Sequence, residues 1–353
     1  MTQFRLLFLR NVRLGMRAWA SSSFFIVMFC AAVYVAAQTY TNPVATPVAA
    51  DPSVILAPDG AYYLYATQDD WADGQGNHYL PIFRSNDLVN WTFVTDAFLS
   101  SPAWKDSGGF TWAPDISFYR GRYYLYYAAS LWGDPNPCIG LGTSRNPAGP
   151  FEDLGRAVFC SEDVGVANSI DPFVWQENGV RTLVWGSFHG IYAVKLSDDG
   201  TKAVGETTQL ADTRFEAPYI VRREGYYYLF VSAGSCCDGE NSTYTLYVGR
   251  SKNLTGPYVD AQGQSLLKGG GKVVLAANET WVGPGHNSVI QDDAGTDWLF
   301  YHAIPRDNPR LTNGVNRRPA LVDKITWQDG WPVVNGSAGP STTAQPIPTV
   351  STP

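Results

Sequence analysis

The feature that most limits the fold of this chain is a unit repeated five times. Each copy has a short apolar strand, a turn containing glycine, and a second strand rich in aromatic residues. The second strands are Tyr62-Tyr63-Leu64-Tyr65, Tyr123-Tyr124-Leu125-Tyr126, Thr182-Leu183-Val184-Trp185, Tyr227-Tyr228-Leu229-Phe230 and Asp297-Trp298-Leu299-Phe300. Gly60, Gly121, Gly179, Gly225 and Gly295 stand in the turns before them. A strand, a glycine turn and a strand make a hairpin. No helical period runs between the hairpins. The anchors Leu64, Leu125, Val184, Leu229 and Leu299 are 61, 59, 45 and 70 residues apart. Units of that size with about four strands each are propeller blades. The expectation is an all-β chain folded as a five-bladed β-propeller over residues 38–336.

Thirteen residues before each anchor stand Asp51, Trp112, Asp171, Glu216 and His286. Each opens the first strand of its unit. First strands line the channel of a propeller, so five residues in one register are expected to converge at one mouth of it. Two carboxyl groups flanking a glycosidic bond can act as general acid and general base. The acid must hold its proton near the working pH, and a third carboxylate nearby raises its pKa by repulsion. Trp112 offers a flat apolar face to a sugar ring. His286, flanked by Gly283-Pro284-Gly285, is a candidate holder of a cation or water at the channel floor. Asp115 lies three residues further into its strand and is expected to satisfy backbone or arginine partners instead.

Composition suits a hydroxyl-rich ligand such as a sugar and equally an ordinary β-rich core, and does not choose between them. Aromatic residues make up 14% of the chain and charged residues only 16%, and the net charge is −7. A basic footprint for nucleic acid is absent.

The motifs Asp51-Pro52, Trp112-Ala113-Pro114-Asp115, Ser169-Ile170-Asp171-Pro172, Glu216-Ala217-Pro218-Tyr219 and Gly283-Pro284-Gly285-His286-Asn287 resemble those of glycoside hydrolase family 43, whose members act on arabinans and xylans. The resemblance implies that Asp51 is the general base and Glu216 the general acid. It implies that Asp171 orients the acid and tunes its pKa, and that His286 holds calcium or a similar ion. It also implies inversion of configuration, which calls for base and acid carboxyls roughly 6.5–9.5 Å apart. Within the family the chain is most similar to arabinan endo-1,5-α-L-arabinanases, through Val184-Trp185-Gly186-Ser187-Phe188-His189-Gly190-Ile191, Ser235-Cys236-Cys237-Asp238-Gly239 and Asp329-Gly330-Trp331-Pro332. The implied substrate is arabinan or its oligosaccharides, cleaved by a monomer without protein partners. Two departures bear on the cleft: the segment Tyr301 to Asn308 and a long loop from Asp69 to Tyr79. The alternatives are an exo-acting α-L-arabinofuranosidase or β-xylosidase of the same fold, and a non-catalytic carbohydrate-binding propeller.

Residues 1–37 combine arginines, an apolar run and small residues before Gln38. They read as a secretory signal, either cleaved near Ala37 or retained as an anchor. Secretion fits the sequons at Asn90, Asn241, Asn253, Asn278 and Asn335. It also fits an even number of cysteines beyond Cys30, with Cys138–Cys160 and Cys236–Cys237 as the expected pairs. Residues 337–353 are rich in Ser, Thr and Pro and are expected to form a disordered tail.

Overall fold

The computed structural model describes residues 38–105 and 109–351; the leader expected at 1–37 lies outside them. Five antiparallel sheets follow one another along the chain, each with four main strands paired in sequence order; a two-stranded hairpin interrupts the first, and in the second a short extra strand, Phe159–Cys160, also pairs with the third strand. Blade 1 runs from Ser53–Leu56 to Thr92–Asp96 and blade 2 from Phe110–Tyr119 to Glu152–Asp153. Blade 3 runs from Phe173–Glu177 to Ala203–Ala211, blade 4 from Glu216–Arg223 to Lys272–Leu275, and blade 5 from Trp281–Gln291 to Trp331–Val334. The innermost strands touch their neighbours all the way round, the first blade meeting the fifth. This is the expected five-bladed propeller.

The aromatic runs are continuous because the second strand of each blade is buried on both faces. Side chains alternate across a strand. Tyr62 and Leu64 therefore pack against blade 5 beside Phe300 and Val322. Tyr63 and Tyr65 turn the other way and meet Leu125 and Tyr127 of blade 2. Three more clusters fill the remaining gaps between blades. The aromatic content is thus mostly interblade packing.

No blade combines strands from both ends of the chain, so other contacts must join blade 5 to blade 1. An N-terminal arm does so. The Tyr40 hydroxyl donates to Val322 O at 2.8 Å, and Val44 N and Ala49 N donate to Ala320 O and Arg318 O, each at 2.9 Å. The arm ends at Asp51.

The segment expected to be a disordered tail is instead docked. Gln345–Pro346 pair with Thr39–Tyr40. Thr349 N donates to Asp292 Oδ2 at 3.0 Å, and Ile347 and Val350 pack on the cluster between blades 5 and 1. Composition counted the polar residues but not these few apolar ones or the strand edge they reach. Both expected cystines are present, Cys138–Cys160 and Cys236–Cys237. Three of the sequon side chains hydrogen-bond within the fold, Asn90 through Nδ2 to Asp87 Oδ2 at 2.6 Å. Asn278 Nδ2 donates to Pro340 O at 2.8 Å, and Asn335 Nδ2 donates to Gly339 O at 3.1 Å.

Candidate active site

Near the top of each inner strand, either just before its first pair or at an irregularity in its pairing, stands one non-glycine residue in the left-handed region: Asp51 (φ 53), Ala113 (φ 45), Asp171 (φ 58), Ala217 (φ 55) and His286 (φ 50). Such conformations are strained for side chains other than Asn, Asp and Gly. Here most are held by the preceding blade. Ala113 N donates to Thr67 Oγ1 at 2.7 Å, Ala217 N to Asp171 Oδ2 at 3.2 Å, and His286 N to Ser232 Oγ at 3.0 Å. Asp51 N lies 3.3 Å from His302 Nδ1.

This ring corrects the register read from the sequence. The first hairpins of blades 2, 3 and 4 turn through two residues, with Tyr119 paired to Arg122, Glu177 to Val180 and Arg223 to Tyr226. Those of blades 1 and 5 are one residue longer, closed by Ala57 N to Ala61 O and Asp292 N to Thr296 O. A constant step of thirteen therefore lands one residue early in blades 2 and 4, on Trp112 and Glu216. It reaches Asp171 only because Val184 stands one place beyond Leu183, the residue equivalent to the other anchors. Trp112 and Glu216 thus project from a different position of the bulge than Asp51, Asp171 and His286 do.

All five nevertheless line one cavity of about 470 Å³. Asp51 is buried and surrounded by positive or hydrogen-bonding groups. Its Oδ1 lies 3.1 Å from His302 Nδ1, 3.3 Å from His286 Nδ1 and 3.5 Å from an Arg318 guanidinium nitrogen. Its Oδ2 accepts from the Thr67 hydroxyl at 2.5 Å. Burial alone would raise the Asp51 pKa. His286, Arg318 and His302 outweigh it and hold the carboxyl well below the usual range. Burial pushes His286 down to about 4 against the pull of Asp51. Its imidazole is therefore neutral at neutral pH, and the arginine and the His302 ring carry the effect there.

Glu216 behaves in the opposite way. Burial, reinforced by the Asp51 charge, pushes it up to about 7, although the Ser187 hydroxyl donates to Oε2 at 2.7 Å. Asp171 is raised by burial first and then by repulsion from Glu216 and Asp51. One cavity thus holds a carboxyl whose pKa is pushed down and another whose pKa is pushed up, the division of labour that acid–base chemistry requires.

Trp112 stacks on Phe110 (ring centroids 5.7 Å, interplanar angle 14°) and meets Trp132 at 5.4 Å. Trp132, 75% exposed, carries this aromatic wall outward. Asp115 faces away from the chemistry. It accepts from Val174 N at 2.8 Å and from the Ser53 hydroxyl at 3.4 Å, tying blades 1, 2 and 3 together. Among the described residues no group of three or more His, Cys, Asp or Glu side chains is placed to hold a metal. His286 offers a single neutral imidazole to the cavity, which fits an ion taking its other ligands from water.

Sequence reasoning passed over Thr67, Ser232, His302 and Arg318. The first three share a register: each stands three residues after its anchor, Leu64, Leu229 or Leu299. The long loop noted at Asp69–Tyr79 is a small hairpin pairing Asp69–Asp70 with Asn77–His78. It brings Asp69 Oδ2 to 3.5 Å from Arg318.

A sequence profile described as glycosyl hydrolases family 43 matches residues 40–332. The chain belongs to this family. It is 36% identical over 72% of its length to the extracellular endo-α-(1→5)-L-arabinanase 1 of Bacillus subtilis, covering 79% of that protein. It is 34% identical over 78% of its length to an extracellular exo-α-(1→5)-L-arabinofuranosidase of Cellvibrio japonicus, covering 83% of it. Among solved structures, an α-L-arabinanase of Cellvibrio cellulosa in complex with arabinohexaose superposes with a TM-score of 0.71. That pair shares 33% identity over 82% of this chain and 95% of the other. The chain is thus a glycoside hydrolase related to both endo- and exo-acting arabinanases.

Proposed function

We propose that this family 43 protein is a secreted arabinanase that cleaves internal α-1,5-L-arabinofuranosidic bonds of arabinan with inversion of configuration. The observation that carries this reading is the placement of two buried carboxyl groups in one cavity, Asp51 beside Arg318 and His302, which pull its pKa down, and Glu216 in surroundings that push its pKa up to about 7. In this mechanism Glu216 gives its proton to the oxygen of the leaving sugar. Asp51 accepts a proton from the water attacking the anomeric carbon on the opposite face. Asp171 fixes the backbone next to Glu216 through Ala217 N and is assigned the orienting and tuning of the acid. Trp112 stacks on a sugar ring. His286 is assigned as the protein ligand of a calcium or similar ion, which supplies positive charge beside Asp51 when bound.

Internal cleavage is favoured by the exposed Trp132, which extends the sugar-binding wall beyond the buried acids. The related exo-acting Cellvibrio enzyme keeps terminal release as the second reading. Early products from debranched arabinan separate the two. A ladder of oligosaccharides supports internal cleavage, while a single small product from the first minutes onward overturns it. Secretion is supported by the leader pattern at 1–37 and by the extracellular relatives, and recovery of the mature chain from culture medium tests it.

A further inference from the structure

Cys236 and Cys237 are bonded to each other and line the same cavity as Glu216, Tyr244 and His286. Both are only half-buried. The loop carrying them is fixed without their help. Ser235 N donates to Thr243 Oγ1 at 3.0 Å, and Asp238 N to Ser242 Oγ at 2.9 Å. Asn316 grips the loop from blade 5, its Nδ2 donating to Cys237 O and its Oδ1 accepting from Gly239 N, each at 2.9 Å. Gly234 (φ +96) allows the close approach, since a Cβ there would meet Thr243 O at 2.6 Å. A bond between adjacent residues closes almost no chain, so it removes little entropy from the unfolded state. What it changes is the surface. Two thiols with weak S–H donors become one polarisable, apolar face.

We propose that the Cys236–Cys237 disulfide is a sugar-contacting surface of the cleft. It receives the C–H face of an arabinofuranose unit next to the one being cleaved, separately from the Trp112–Trp132 pair. Sulfur suits this role because a furanose presents a compact face of carbon-bound hydrogens, which a polarisable disulfide can cover. The proposal rests on the arabinanase reading above.

The test is ligand protection. Wild-type hydrolysis of linear arabinan is measured first, and its absence overturns the reading on which the proposal rests. In the Glu216→Gln protein, reduction of each disulfide by a phosphine is then followed by thiol alkylation and mass spectrometry, with and without saturating arabinohexaose. Bound sugar is expected to slow reduction of Cys236–Cys237 at least fivefold and to leave Cys138–Cys160 unchanged. Equal rates at Cys236–Cys237 in a chain whose wild type hydrolyses arabinan overturn the proposal alone. In parallel, Cys236→Ser with Cys237→Ser is expected to raise KM for linear arabinan about fivefold, ~1 kcal/mol, with kcat within twofold. An unchanged KM also overturns it.

Discussion

The Ser187 hydroxyl donates to Glu216 Oε2 at 2.7 Å, across the seam between blades 3 and 4. The bond favours the charged form of Glu216, which is the form left behind once the acid has given up its proton. Ser187→Ala should therefore act in two ways. Loss of a hydrogen bond to a developing charge, about 1.5 kcal/mol, should lower kcat roughly tenfold. The Glu216 pKa should also rise, because a group that lowers it is gone. The alkaline limb of the kcat/KM profile should then move to higher pH. A limb that stays in place would mean that Glu216 does not set it.

Asp51→Asn and Glu216→Gln should each reduce hydrolysis of arabinan by at least about 10³-fold while leaving the thermal transition intact, since each removes one partner of the acid–base pair. In the wild type, proton NMR of the earliest products should detect the β-anomer of the new reducing end. Net retention would exclude direct attack by water activated at Asp51.

Arg318→Met tests how Asp51 is kept ionised. The arginine lies 3.5 Å from Asp51 and is one of the groups that lower its pKa. Without it the Asp51 pKa rises, so the acidic limb of the kcat/KM profile, which reports the free enzyme, should move to higher pH. A profile with an unmoved acidic limb would assign that limb to another group.

The fold was legible because of a burial fact. Second strands packed on both faces leave uninterrupted aromatic runs, and five such runs admit few architectures. Asp51, Asp171 and His286 were legible because strained turns at the blade tops recur. The single counting step blurred two blades because Gly60 and Gly295 sit in turns one residue longer than those of Gly121, Gly179 and Gly225. Thr67, Ser232 and His302 obey a register that only interblade pairing makes meaningful. Arg318 obeys none. It reaches Asp51 from 267 residues away because the N-terminal arm binds its backbone oxygen through Ala49.

Asp115 yields a stability prediction of definite sign. Burial pushes its pKa up to about 7, well above the ordinary value of an aspartate. The fold therefore favours the protonated form. That contribution is complete below pH 4 and is lost as the pH rises through 7. Asn at this position can still accept from Val174 N and never ionises. Asp115→Asn should match the wild type at pH 4 and exceed it at pH 8, by at most about 4 kcal/mol. Equal melting temperatures at both pH values would mean that Asp115 is not held protonated.

The docked C-terminal segment supplies the last test. It clasps the N-terminal arm and the loop at Asp292–Asp293, where Asp293 N donates to Thr349 O at 2.9 Å. The apolar contacts of Ile347 and Val350 contribute about 1 kcal/mol each when partly buried, and the backbone bonds add a comparable amount. Removing residues 343–353 should therefore cost about 3 kcal/mol, a fall in Tm of roughly 4–5 °C for a chain of this size. The arm that the clasp secures also carries Asp51, so the thermal loss of activity should follow the lower Tm while kcat at 25 °C stays within twofold. A truncated protein that melts with the wild type would show that the arm holds blade 5 to blade 1 unaided, through Tyr40, Val44 and Ala49.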